Sequence, residues 1–187
     1  MNSAIANTTP EEILSFWFSK LVSKHWFNST PELDSVIKER FEEAYSAALA
    51  GKLDHWLESP ESALALVIIL DQFPLNMYRG EARSFESENK AVEVALKSIS
   101  QQHHLKIDKD KVGFLVLPFM HSESMKMQDV SVKLFTQLGL DENLRYAEHH
   151  RKIVENYGRF PHRNEILGRA STPEEIKYLN SPDAFHG

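Results

Sequence analysis

Eight consecutive residues, Ala63 to Leu70 (ALALVIIL), carry no polar side chain. A helix built on them has no face to turn toward water, so other elements must surround it. A membrane span needs about 20 apolar residues, and this run is far shorter, with Asp71 following at once. Ser59-Pro60-Glu61 marks its start. Pro74 marks its end, because a residue before proline is pushed out of the helical region. The sequence therefore predicts a buried helix over about Pro60 to Gln72, and the rest of the chain must supply its wrapping.

That wrapping is predicted to be helical. Thr9-Pro10-Glu11-Glu12 and Thr172-Pro173-Glu174-Glu175 each offer a capping hydroxyl, a proline at the first helical position and a carboxylate at the third, and Thr30-Pro31-Glu32 is a close variant. From Pro31 to Ala50, Leu33, Ile37, Phe41, Ala44, Tyr45 and Ala48 share one face at steps of three and four, with Gly51 placed as the stop. Further helices are expected over Ser87 to Gln102, over Lys111 to Leu117 ending at Pro118, over Ser124 to Leu138 ending at Gly139, and over Glu142 to Tyr157, capped by Asp141 and ended by Gly158. VGFLVLPF is the one serious strand candidate, and it has no partner strand. The aromatics Phe16, Trp17, Phe18, Trp26 and Phe27 read as core or a packed lid before a ligand-stacking surface. The fold class is all-α, a single domain over 1–187 of roughly eight helices in antiparallel pairs.

Charge narrows the function. The net charge is -6, so a nucleic-acid binder with a broad basic surface is not expected. With no cysteine, disulfides, thiolate zinc sites and cysteine nucleophiles are excluded, and a reducing cytoplasm suits the chain. MNSAIANTTPEE has no basic region and no long apolar run, so no signal peptide is expected.

Against this acidic average, Glu148 to Arg169 gathers His149, His150, Arg151, Arg159, His162, Arg163 and Arg169 around the helix-stopping Gly158 and Pro161. Arginine forks match carboxylate and phosphate oxygens, and the turn after Gly158, with a short helix opened by Asn164, offers N–H groups to an anion. A structural role is equally open, the arginines pairing with Asp71, Glu123 or Glu165. Asp71 closes the most buried helix, where a carboxylate needs a partner such as Arg79 or Arg163. Its functional alternative is a general base. His121-Ser122-Glu123 resembles a hydrolytic triad only superficially, since adjacent residues rarely meet in that geometry, and Ser122 or Ser124 suits the start of the next helix better. Scattered histidines and acids without ligand spacing predict no metal. One internal echo stands out: Phe73-Pro74-Leu75-Asn76 and Phe160-Pro161-His162-Arg163-Asn164 both follow a helix. Repeated helical hairpins would explain it, but coincidence explains it more simply.

These blocks together resemble the mainly bacterial family known as domain of unknown function 924. The resemblance spans most of the chain. It rests on Ile13-Leu14-Ser15-Phe16-Trp17-Phe18, on Leu70-Asp71-Gln72-Phe73-Pro74 with Asn76, Tyr78, Arg79 and Gly80, on Pro118-Phe119 with His121-Ser122-Glu123, and on His150-Arg151 with Gly158-Arg159-Phe160-Pro161-His162-Arg163-Asn164, Leu167-Gly168-Arg169 and Ser171-Thr172. It implies a tetratricopeptide-like, right-handed superhelical bundle of antiparallel helix pairs. The family often carries arginine after DQFP, where this chain has Leu75, so an anion-binding role for that position is absent here.

The expected function is a polar pocket for a small anionic molecule, a carboxylate or phosphate, built from Asp71, Gln72, Arg79, His121, Glu123, His150, Arg159, His162, Arg163 and Asn164. Arg159 and Arg163 would clamp the anion. His121, Glu123, His150, His162 and Asp71 are the candidates for acid/base chemistry, imidazole titrating near neutral pH. The alternative is a tetratricopeptide-like module gripping an acidic peptide without catalysis. Neither nucleic acid nor a membrane is an expected partner.

Overall fold

Ten α-helices carry the chain in a computed structural model that describes residues 8–187: α1 (Pro10–Trp17), α2 (Lys20–Ser23), α3 (Pro31–Leu49), α4 (Pro60–Asp71), α5 (Phe73–Met77), α6 (Glu88–Ser100), α7 (Val112–His121), α8 (Met125–Leu138), α9 (Asp141–Tyr157) and α10 (Pro173–Leu179). No strand occurs among the described residues, so the all-α expectation holds. None of their helices is long and apolar enough to cross a membrane. The expectation of no signal peptide falls largely on residues 1–7, outside the described residues.

The residues divide into two compact units. The first takes in the chain up to Arg79 together with Arg83–Pro118, and the second Gly80–Ala82 with Phe119–Gly187. In the first, α4 is the hub. Every residue from Ala63 to Asp71 is buried, and α1, α3, α5 and α6 pack around it. Phe41 and Phe73 stack at 4.9 Å beside Trp17, and Phe114 meets Trp26 at 4.6 Å. Phe27 departs from the expected packing, being 81% exposed. In the second unit, α8 and α9 are joined by Gly139 and Leu140 alone and pack together.

The helix starts follow the sequence grammar. The hydroxyls of Thr9, Thr30 and Ser59 each accept an N–H of the first turn, and Thr172 and Glu175 form a reciprocal capping box. Asp141 is instead the first residue of α9, which Leu140 precedes with no side-chain cap. The residue at the cap position, Leu140, has no side-chain acceptor to offer.

The segment VGFLVLPF is helical, and α7 runs through Pro118 to His121 rather than stopping at Leu117. An unbroken apolar run has no period to separate strand from helix. An interior proline removes one helical hydrogen bond and crowds the preceding turn. Burial of Phe119 and Met120 offsets that loss by carrying the helix one turn further.

Candidate functional site

The same junction is built twice, once in each unit. In the first, Asn76 on α5 donates to the Ser29 hydroxyl at 3.0 Å and to Asp34 Oδ1 at 2.7 Å. Arg79 forks the same carboxylate through Nε (2.7 Å) and Nη2 (3.2 Å). Burial acts to raise the Asp34 carboxyl, but the bonds from Arg79, Asn76 and Ser29 outweigh it and hold the group below its ordinary value. In the second unit, Asn164 donates to the Ser171 hydroxyl at 3.0 Å and to Glu175 Oε2 at 3.1 Å. Arg159 forks Glu175 through Nε (2.7 Å) and Nη2 (2.8 Å).

In both junctions a Ser-Thr-Pro helix start presents a hydroxyl and an acid to an asparagine and an arginine from a Phe-Pro segment or its flank. The two Phe-Pro blocks thus do equivalent work. Replacing Asn76 by alanine removes two side-chain hydrogen bonds, and replacing Asn164 removes three. Each change is expected to cost about 1–2 kcal/mol in urea denaturation. A loss at one site and none at the other would show that the two junctions are not equivalent.

A third node holds the turn after α9. Gly158 ends the helix at φ +70, a left-handed conformation that suits glycine. The Phe160 N–H then donates to Glu123 Oε1 at 2.8 Å, and Arg169 forks Glu123 at 2.7 and 2.9 Å. Burial acts to raise Glu123, but Arg169 and the Phe160 amide hold it low. Arg169 also reaches Asn164 Oδ1 at 3.0 Å, which joins this node to the second junction. Arg163 lies over the Phe160 ring at 4.7 Å and donates to the His121 carbonyl at 2.8 Å.

No helix opens at Asn164. A single 3-10 turn spans Pro161–Arg163, and the N–H groups of Arg163, Asn164, Leu167, Gly168 and Arg169 all bond to backbone carbonyls. These amides are therefore not presented to an anion.

Of the residues expected to form one pocket, Asp71, Gln72 and Arg79 belong to the first unit and the remainder to the second. Asp71 and Gln72 are buried at the end of α4, where Gln72 Nε2 donates to Asp71 Oδ2 at 2.7 Å. Arg79 lies on Asp34. Ser122 accepts the Ser124 N–H at 3.3 Å, but neither serine caps α8, whose start has no side-chain cap, and Glu123 serves Arg169. Arg159 pairs with Glu175, an acid that sequence reasoning did not connect to it. Two surface depressions, of about 270 and 560 Å³, lie in the first unit, one around Phe18, Leu64 and Lys111 and the other along Lys38 to Ser46.

The imidazoles remain. His150 Nδ1 donates to the Tyr146 carbonyl at 2.8 Å, since a carbonyl can only accept, and this leaves Nε2 with its lone pair in the neutral ring. Burial pushes His150 down to about 3, against the Tyr146 bond and with help from the charges of His121, His149 and His162. Burial likewise takes His162 to about 4. Arg163, His186 and Arg169 act with it and Glu123 against. His162 Nδ1 is buried with no hydrogen-bond partner. Among the described residues, no three histidine or acidic side chains converge as a metal-binding group.

The family model for bacterial proteins of unknown function DUF924 matches residues 13–183. The chain belongs to the DUF924 family. A solved structure of a protein of unknown function from Agrobacterium tumefaciens is similar to it, with 41% sequence identity over 91% of this chain and 96% of that one and a TM-score of 0.87. No curated protein matches the chain. In this DUF924 member, the blocks that carry the family resemblance include the asparagines and arginines of both junctions.

Proposed function

We propose that the second unit binds a small anion at the imidazoles of His150 and His162. The carrying observation is His162 Nδ1, buried with no hydrogen-bond partner on a ring that flanks Phe160 together with His150. Burial first, and then the charge of Arg163 on His162 and those of His121 and His149 on His150, disfavour a proton on these two rings. A bound anion brings a negative charge to these rings and favours their protonation. The anion site moves accordingly from an Arg159–Arg163 clamp to the His150–His162 face. Arg159 and Arg169 shape the turn beneath it, and His121 with Arg163 sets its charge. Acid/base chemistry would fall to His150 Nε2, the oriented lone pair.

Linkage gives the sign. Binding coupled to proton uptake strengthens as pH falls from about 5 toward 3, the window between the raised and the free values of the two rings. The test is NMR titration of the histidine side chains with and without inorganic phosphate. Phosphate is expected to raise the pKa of His150 and His162 by about one unit, equivalent to roughly tenfold in affinity. Unchanged titration curves would overturn the reading.

The rival is a tetratricopeptide-like module, cytoplasmic like the pocket protein, that grips an acidic peptide. The all-helical fold suits it, as do the exposed Phe27 and Leu21 (81% and 75%) on the first unit. Peptide binding lost on replacing Phe27, with the imidazoles unmoved, would favour it.

A further inference from the structure

Phe185 has no place in the reading so far. It is half-buried on the segment that follows α10, while Pro182, Asp183, His186 and Gly187 around it are exposed. Its ring stands 4.5 Å from His150 and 4.9 Å from His162, edge-on to both, with His149 at 6.4 Å. His150 and His162 in turn flank Phe160 at 5.5 and 5.7 Å. The Phe185 ring is therefore enclosed by three imidazoles, over a floor that includes Phe160.

The segment carrying it is lightly tied. The Phe185 N–H donates to the Tyr178 hydroxyl at 2.9 Å, and a single turn closes from Ala184 N–H to the Ser181 carbonyl at 3.2 Å. Apart from these bonds the strap is held by the packing of Phe185 on the Ile153, Val154 and Phe160 cluster, so it opens locally once that ring leaves its seat. The ring it delivers also fits its seat incompletely. His162, one ring of that seat, keeps its Nδ1 buried and without a hydrogen-bond partner.

We propose that the three imidazoles form a seat for a small aromatic anion, and that Phe185 is its resident occupant. The incoming ring replaces the phenyl ring edge-on to His150 and His162, and the acidic group of the ligand meets the unpartnered His162 Nδ1. This rests on the anion reading above and narrows its ligand to an aromatic carboxylate or an aryl phosphate. Strap and ligand compete for one place, so the measured affinity is the intrinsic affinity reduced by the fraction of molecules with the seat open.

The experiment compares phenyl phosphate with inorganic phosphate on wild type and Phe185→Ala, by calorimetry and by histidine NMR. Phe185→Ala is expected to bind phenyl phosphate about tenfold more tightly than wild type, with inorganic phosphate little changed. Tyr178→Phe removes the hydroxyl that holds the strap and keeps every ring. It is expected to tighten phenyl phosphate by about threefold, which covers the case in which Phe185→Ala is poorly folded. Equal phenyl phosphate affinity in wild type and both variants, with phosphate still raising the His162 pKa, overturns the aromatic seat and leaves the anion reading standing. Imidazoles that respond to neither probe in any of the three proteins overturn both.

Discussion

Replacing Glu175 by alanine is expected to destabilise the protein by about 3 kcal/mol, which for a chain of this length lowers the melting temperature by roughly 6–12 °C. The Glu175 side chain is 2% exposed. It accepts from Arg159 twice, from Asn164 and from the Thr172 N–H. Arg159 holds its carboxyl down to about 2, working against burial and helped by Thr172 and Asn164. Alanine takes the shared acceptor from the Arg159 fork, Asn164 and the Thr172 N–H and opens the capping box of α10. The value sits at the low end for a broken buried pair because Arg159 is 27% exposed and water reaches it. Glutamine, which keeps one accepting oxygen, is expected to cost about half as much. Thermal and urea denaturation of both variants provide the check. A Glu175→Ala protein as stable as wild type would show that the junction does not hold α10, and would return Arg159 to the role of an anion clamp.

Acidification is expected to weaken the fold by about 4–5 kcal/mol between pH 6.5 and 4.5, before most carboxylates titrate. Unfolded histidine takes its proton near 6.5, whereas folded His150 and His162 refuse theirs until about 3 and about 4. Across that interval the unfolded chain binds more protons, so stability is full above pH 6.5 and drains away as pH falls toward the folded values. His103 and His104, also lowered by burial, act in the same direction. Below about 4.5 the carboxylates take over. Glu175, Asp34 and Glu123 are depressed in the folded protein, so their contribution is present above the unfolded value and lost as pH drops through the folded one. Urea midpoints at steps of pH measure the slope, and His150→Phe is expected to flatten it. A wild-type profile level from 6.5 to 4.5 would mean that these imidazoles are not held neutral by the fold.

The central helix was legible because its composition allows no other solution, and the capped starts were legible because capping is local chemistry. The second half of α7 was not. Pro118 argues for a stop at short range, and the burial that carries the helix past it is decided by distant residues. The site divides along the same line. The Arg/His cluster is plain in the sequence, but Arg159 meets an acid 16 residues away and Arg169 one 46 residues away, separations that no periodicity encodes. One signal was available: Ser29-Thr30-Pro31 and Ser171-Thr172-Pro173 repeat the same triplet, and each proves to be the landing place of a Phe-Pro block. Phe185, next to a chain end in an unpatterned stretch, gave no sign of its three imidazole neighbours.

The helix α4 also has a consequence outside the folded state. Ala63 to Leu70 is uncharged, contains no proline or glycine and is rich in Leu, Ile and Val, a composition that favours cross-strand association once exposed. Glu61 and Asp71 are the nearest charges and act as its gatekeepers. Conditions that open the first unit therefore release an adhesive segment, and the loss of native protein there becomes irreversible through aggregation rather than a reversible unfolding.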